Sequence, residues 1–397
     1  MIIMPNLVLY RKYRPKTFGE VTGQEHVVQT LTNALSMGMI SHAYLFCGPR
    51  GTGKTTIARL LAKALNCETR KAREGEETKV SSSPSLSRSE SSAFEPCNKC
   101  SSCLEINEGR SIDLVEIDAA STGGIDAIRE LRDGIRFSPT KSKYRIFIID
   151  ESHQLSKDAA NALLKTLEEP PAHAIFILAT TEIHKMIPTI ISRCQRFDFR
   201  KLTLTEIVSR LGTLAQKENV KIEKSALELI ALSSGGAARD AEGLLDQVLT
   251  FSGDLKQGET IKAEDIKELL GMVDTKLVGQ LFDFICQKKG GEALDFLSKT
   301  LEKGKDVQEL TRALVAYLRQ GLILKIAPDL QNPLITGLTG EEQGKLKSQI
   351  ANFEEADLRR ILKLFMEAES RMKYASIPQL PLELAIIEAL EKEAKIS

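Results

Sequence analysis

A chain of 397 residues with 54 Lys and Arg against 54 Asp and Glu carries no net charge at pH 7, which argues against strong non-specific nucleic-acid binding by the chain as a whole. Aromatic residues make up only 5% and Trp is absent, so base-stacking platforms are not its main device. No run approaches the roughly 18 consecutive apolar residues of a membrane helix, and the opening residues lack a charged stretch followed by a sustained apolar core, so no membrane and a cytoplasmic location are expected.

At this length two or three domains are expected. The first 66 residues are locally basic, with eight Lys and Arg against Glu20 and Glu25. The first clear element is the apolar run Ala43 to Cys47, which reads as a buried strand. Gly48-Pro49-Arg50-Gly51-Thr52-Gly53-Lys54-Thr55 follows it, and Thr56 to Leu65 reads as a helix. Two glycines five apart, then Lys and a hydroxyl residue, between a strand and a helix, form a phosphate-binding loop. The glycines let backbone N–H groups curl around phosphate oxygens, and the helix N-terminus, here including Thr56, adds its positive end. Lys54 is placed to reach the β- and γ-phosphates and Thr55 to ligate Mg²⁺. A nucleoside triphosphate is therefore the expected ligand.

Glu68 to Glu95 is polar, and eight of the twelve residues from Ser81 to Ser92 are Ser. Such a stretch is predicted to be disordered, either as a tolerated surface insertion or as a regulatory loop. Cys97, Cys100 and Cys103 follow at two-residue spacings, with Cys67 upstream. Four thiolates in a cytosolic chain read as structural zinc. An iron–sulfur site competes, without the usual downstream Cys-Pro. A doubling of loop length costs only about 0.6 kcal/mol of closure entropy, so the long insertion does not forbid the site. Cys47, Cys194 and Cys286 read as core residues.

Four more runs have strand character: Leu114 to Ile117, Arg145 to Ile149, Ala174 to Ala179 and Gln195 to Phe199. Strands separated by helices predict a parallel sheet covered on both faces. The third of the five strands delivers Asp150 and Glu151 at its C-terminal end, where ligands bind in open parallel sheets. One carboxylate is needed for the Mg²⁺ shell and a second, Glu151, to deprotonate an attacking water. Ser156 to Glu169 is the clearest helix, stopped by Pro170-Pro171. Thr180-Thr181 ends the next strand within reach of both motifs. Arg193, in Ser192-Arg193-Cys194, is a candidate finger for phosphoryl charge, with a surface ion pair as the competing reading. After Phe199 the pattern is helical. Thr203 to Glu206 and Ser225 to Glu228 read as capping boxes, Gly235-Gly236 ends a helix, a further helix starts near Asp240, and a linker is expected from Phe251 to Asp254.

Taken together, these residues resemble the AAA+ ATPases and, among them, the gamma/tau clamp-loader family of bacterial DNA polymerase III. The likeness rests on Tyr10 to Pro15, Gln24-Glu25-His26, the phosphate loop, the four cysteines, Asp150-Glu151-Ser152-His153, Ala179 to Glu182, Ser192-Arg193-Cys194 and Gly236 to Ala241. It implies an AAA+ α/β domain over 1–200, with a zinc module at about 67–103 that carries the Ser-rich insertion 68–95. A helical lid over 201–252 and an all-α oligomerisation collar over 255–397 follow. It implies that Thr181 is a first sensor, that Arg239 is a second sensor reaching the γ-phosphate from the lid, and that Arg193 reaches the ATP of a neighbouring subunit. Tyr10 to Pro15 is implied to lie near the adenine. The implied partners are delta and delta-prime subunits, the beta sliding clamp, primer–template DNA and further copies in a five-subunit assembly. Two other readings stay open, a non-catalytic scaffold subunit and a DNA-remodelling motor. The spacer between Cys67 and Cys97 is longer than the family's, and the end after the collar-like helices suggests a short form or a truncated piece.

Overall fold

The computed structural model describes residues 7–69, 94–122, 134–135, 137–251, 260–269, 275–327, 340–351 and 353–391. The expected disorder of the Ser-rich insertion therefore falls, for 70–93, outside the described residues.

The five apolar runs form β1 (Ala43–Cys47), β2 (Leu114–Asp118), β3 (Arg145–Asp150), β4 (Ala174–Thr180) and β5 (Gln195–Asp198). They pair in parallel in the order β2-β3-β4-β1-β5. The three central strands are buried almost throughout, whereas the edge strands β2 and β5 are partly exposed. That explains why the central runs are continuously apolar and β5 is not. Successive side chains point to opposite faces. On one face Tyr44, Phe46, Ile146, Ile148, Ile175 and Ile177 pack on Ile57, Leu60 and Leu61 of the Lys54–Asn66 helix and on Leu31 and Leu35 of the Glu25–Ser36 helix. On the other, Leu45, Phe147, Ile149, Phe176 and Leu178 pack on Ala159, Leu163 and Leu167 of the Lys157–Glu168 helix. Ser156 caps that helix by accepting the Ala159 amide at 3.2 Å, a bond worth about 1 kcal/mol.

Three helices follow, Leu204–Lys217, Lys224–Ser233 and Ala238–Phe251. Thr203 makes the full capping box with Glu206. The second expected box is corrected. Glu223, not Ser225, is the N-cap, and it makes no side-chain cap. The cause is tertiary: the Glu223 amide donates to the Ile261 carbonyl (3.0 Å), and the Ile261 amide donates to Lys221 (2.9 Å). This bridge holds Lys221 to Glu223 extended, so the helix starts at Lys224, two residues earlier than a Ser225 cap would set it. Gly236, at φ +93°, sits where a Cβ would come within 2.9 Å of Lys201 Cβ, which fits its place as a helix breaker. The third helix runs through Phe251, and 252–259 lie outside the described residues.

The chain divides into two compact units between Lys262 and Ala263. In the second unit, six helices among the described residues, from Thr275–Cys286 to Leu380–Leu390, enclose one core that includes Phe282, Leu314, Phe365 and Leu382. A polar knot fixes part of it. The Gln349 side chain accepts from Tyr317 Oη (2.7 Å) and donates to the Gly279 carbonyl (2.8 Å) and Asp283 Oδ1 (2.6 Å). Among the described residues no helix is long and apolar enough to cross a membrane.

Candidate nucleotide site and four-cysteine cluster

The glycine turn sits between the C-terminal end of β1 and the N-terminus of the Lys54–Asn66 helix. Gly48 has φ +151°, and a Cβ there would lie 2.4 Å from the Phe199 carbonyl oxygen, so only glycine fits. Gly51 and Gly53 also have positive φ. Thr52 Oγ1 donates to the Pro49 carbonyl at 2.9 Å, and Gln24, fully buried, donates from Nε2 to the carbonyls of Arg200 (2.7 Å) and Thr52 (3.4 Å).

Lys54 is 6% exposed. Its ammonium donates to the Gly48 and Pro49 carbonyls at 2.7 and 2.9 Å. Burial lowers its pKa, and the carboxylates of Glu151 and Asp150 oppose that. Strand order explains how those acids arrive. β4 lies between β1 and β3, so Asp150 reaches the loop across one strand, and Thr55 Oγ1 donates to Asp150 Oδ2 at 2.7 Å. Glu151 follows with φ +47°, a left-handed conformation that costs a non-glycine residue about 1–3 kcal/mol. Its Oε2 accepts from Thr181 Oγ1 (2.8 Å) and the Thr181 amide (3.3 Å).

Arg50 to Thr56, Asp150, Glu151 and Arg239 line one cavity. Gly48 and Pro49 form the turn behind it, and Thr181 joins through Glu151. Arg193 is not brought there. Its guanidinium donates to Glu168 Oε1 (2.8 Å) and to the Thr189 carbonyl (2.8 Å), so within its own chain it makes the surface ion pair that was the competing reading.

Tyr10, Arg14 and Pro15, from the stretch implied to lie near the adenine, also line this cavity, and so do Glu20, Arg210 and Glu242, which the sequence left without a role. The Arg239 guanidinium lies 4.8 Å from the centre of the Tyr10 ring and, by hydrogen bonding, lowers the Tyr10 pKa. Arg210 Nε donates to Glu242 Oε1 at 2.9 Å and Nη2 to the Tyr13 carbonyl at 2.6 Å. Burial raises the Glu242 pKa against the pull of Arg210. Behind Glu151, His153 is nearly enclosed. Its Nδ1 lies 3.0 Å from Thr180 Oγ1 and its Nε2 3.2 Å from Glu182 Oε2. The only advance signal for it was its place in the Asp-Glu-Ser-His run.

The sulfur atoms of Cys67, Cys97, Cys100 and Cys103 all lie within 4.8 Å of one another. A tetrahedral zinc with bonds of about 2.3 Å needs sulfurs about 3.8 Å apart, and Cys97 and Cys103 are 4.0 Å apart. Cys67 therefore joins the set despite the long spacer. Burial opposes ionisation of Cys97, but hydrogen bonds from Thr69 and from the Lys99 and Cys100 amides outweigh it and bring its pKa down to about 6. Burial raises the pKa of Cys100 and Cys103. The donor set suits zinc. The ends of the polar insertion are ordered beside it, which corrects the expected disorder there. Ser101 Oγ donates to Glu68 at 2.7 Å, and Glu95 accepts two backbone amides. Charged ends that find partners escape the compositional rule. Cys47, Cys194 and Cys286 stand apart, their pKa values raised by burial to about 11, 12 and 12.

Three family models match in succession. They are described as DNA polymerase III, delta subunit (residues 23–203), DNA polymerase III clamp loader subunit, ATPase lid domain (206–254), and DNA polymerase III subunits gamma and tau domain III (261–395). DNA polymerase III subunit gamma of Buchnera aphidicola subsp. Schizaphis graminum is 32% identical over 96% of this chain and 98% of its own. The chain belongs to the gamma/tau clamp-loader family of DNA polymerase III. Subunit tau of Bacillus subtilis is 42% identical over 96% of this chain but only 62% of its own length, so the chain spans about three fifths of that relative. The branch-migration motor RuvB of Thermotoga maritima aligns over 68% of this chain and 78% of its own at 20% identity, with a TM-score of 0.46, which is too slight to argue from. The gamma/tau family is one of AAA+ proteins, whose fold implies nucleotide binding.

Proposed function

We propose that this chain is an ATP-hydrolysing subunit of a DNA polymerase III clamp loader, coupling ATP binding and hydrolysis to placement of the sliding clamp on primed DNA. The observation that carries this reading is the convergence of Lys54, Thr55, Asp150, Glu151 and Arg239 on one cavity, in a member of that family.

In this reading the loop amides from Arg50 to Thr56 and the Lys54 ammonium hold the triphosphate. Thr55 and Asp150 hold Mg²⁺, which when bound neutralises phosphate charge. Glu151 takes the proton of the attacking water. To do so it leaves Thr181, whose hydroxyl and amide then face the γ-phosphate. Such an exchange would make Thr181 a sensor of the bound nucleotide. Arg239 carries the same contact from the lid. Arg193, away from its own cavity, serves a neighbouring subunit. Zinc in the four-cysteine site is structural.

Self-association has independent support in the second unit. On the Leu380–Leu390 helix, Leu380, Leu384 and Ile387 are exposed apolar residues on one stripe, with Ile377 just ahead of them. Leu382, Ala385, Ile386 and Ala389 fill the core from the opposite side. An apolar stripe at helical spacing fits a further copy or a related subunit. Delta and delta-prime subunits, the beta clamp and primer–template DNA are proposed as partners from the family alone.

The test is ATP hydrolysis by the chain assembled with delta and delta-prime, with and without clamp and primed DNA. Stimulation by clamp plus primed DNA is expected, and Lys54→Ala is expected to remove ATP binding and hydrolysis. A wild-type chain that binds no ATP would instead be a scaffold. For the metal site, elemental analysis is expected to find about one zinc per chain, lost in Cys100→Ser together with the ordered module. A metal-free wild-type protein would overturn that assignment.

A further inference from the structure

The four-cysteine module reaches back to the wall of the nucleotide cavity. Glu95, two residues before Cys97, accepts hydrogen bonds from the amides of Phe18 (2.7 Å) and Gly19 (2.8 Å). Asn98, just after Cys97, donates from Nδ2 to the Lys16 carbonyl at 2.9 Å. Its Oδ1 accepts from Lys63 Nζ at 2.8 Å. Lys63 also donates to the Lys16 carbonyl (2.8 Å) and to Asn107 Oδ1 (2.9 Å), and it is 2% exposed. Lys63 lies on the helix that begins at Lys54. One polar cluster thus ties together the phosphate-loop helix, the cysteine module and residues 16–19.

Residues 16–19 are flanked by the wall itself, with Arg14 and Pro15 before them and Glu20, Val21 and Thr22 after them. Between Tyr13 and Gln24 the only regular element is the three-residue turn Phe18–Glu20. A segment with so few backbone bonds of its own takes its position from external anchors. Charge-assisted bonds such as those to Glu95 and from Lys63 are the stronger kind.

We propose that Glu95, Asn98 and Lys63 form a brace through which the four-cysteine module fixes the N-terminal wall of the nucleotide cavity, so that the module sets nucleotide affinity without touching the nucleotide. This rests on the nucleotide reading above. These are positioning residues. They change how tightly the ligand is held and leave the reacting groups around Glu151 in place.

The test uses the full chain and a fluorescent ATP analogue with Mg²⁺. Glu95→Ala and Asn98→Ala are expected to raise the Kd about five- to tenfold, the scale of one or two hydrogen bonds, while zinc content and the rate at saturating ATP stay at wild-type values. Glu95→Gln, which keeps an acceptor oxygen, is expected to fall between. Glu105→Ala is the control: Glu105 sits on the same module but pairs with Lys141 at 3.0 Å, and its Kd is expected to match wild type. An unchanged Kd in Glu95→Ala with zinc retained would overturn the brace, and so would an equal loss in Glu105→Ala. Amide exchange supplies a second measurement that needs neither nucleotide nor a folded Glu95→Ala. Chelating the zinc of the wild-type chain is expected to speed exchange at Phe18 and Gly19, and no change there refutes the brace. A wild-type chain that fails to bind the analogue strikes the nucleotide reading alone, because the exchange result still decides the brace.

Discussion

Glu151→Gln is expected to slow ATP hydrolysis in the assembled loader by about 10²–10⁴-fold, the usual contribution of a general base, with ATP binding nearly intact. Glutamine has the size of the carboxylate and keeps an oxygen to accept the 2.8 Å bond from Thr181 Oγ1. It fits the same left-handed turn at φ +47° as well or as poorly as Glu151 does. What it lacks is the basic lone pair that takes a proton from water. Asp150, bonded to Thr55, is committed to the other side of the site and cannot substitute. Single-turnover hydrolysis measured beside analogue binding separates the two effects. A rate within twofold of wild type would remove Glu151 from the base role. A parallel loss of binding would mean that the turn after β3 had been disturbed instead.

Arg193→Ala is expected to cut hydrolysis on the order of 10³-fold or more in the multi-subunit assembly, the scale of an arginine finger supplied in trans, and to leave the isolated chain unchanged. The geometry makes this split a sharp test. Arg193 lies outside the lining of its own cavity and is engaged with Glu168 and the Thr189 carbonyl. That ion pair is on the surface, with Arg193 and Glu168 side chains 33% and 49% exposed, and such pairs contribute only about 0.2–1 kcal/mol. Loss of folding therefore cannot mimic the expected effect. Equal rates for wild type and Arg193→Ala in the assembly would leave Arg193 as a surface ion pair and nothing more.

The parts of the site legible in the sequence are those whose chemistry is local. The glycine turn must have its positive-φ positions, and Gly48 must lie against Phe199, so the pattern survives as a string of letters. The central strands are buried on both faces, so β1, β3 and β4 stand out as apolar runs. The parts that were not legible depend on which segments meet. Arg210 and Glu242 lie 32 residues apart and read as charges on solvated helix faces until the lid packs them over the cavity. Gln24 belongs to a run on which the family likeness rests, yet nothing local shows that it is fully buried between Thr52 and Arg200. Glu95 closes a polar, Ser-rich stretch, and composition hides that its carboxylate takes two amides 76 and 77 residues away. Ser225 matched a capping pattern, but a pairing with Ile261 moved the helix start. In each case a long-range contact overrode a local signal.

The central claim is that a triphosphate lies in the cavity between the glycine turn and the two acids. A crystal structure of the chain with a non-hydrolysable ATP analogue and Mg²⁺ tests it most directly. The account predicts the β- and γ-phosphates against the amides of Arg50 to Thr56, with Lys54 Nζ turned from the Gly48 and Pro49 carbonyls to the phosphate oxygens and the cation beside Thr55 and Asp150. An analogue bound elsewhere, or a Lys54 that keeps its two carbonyl bonds with no phosphate in reach, would contradict it.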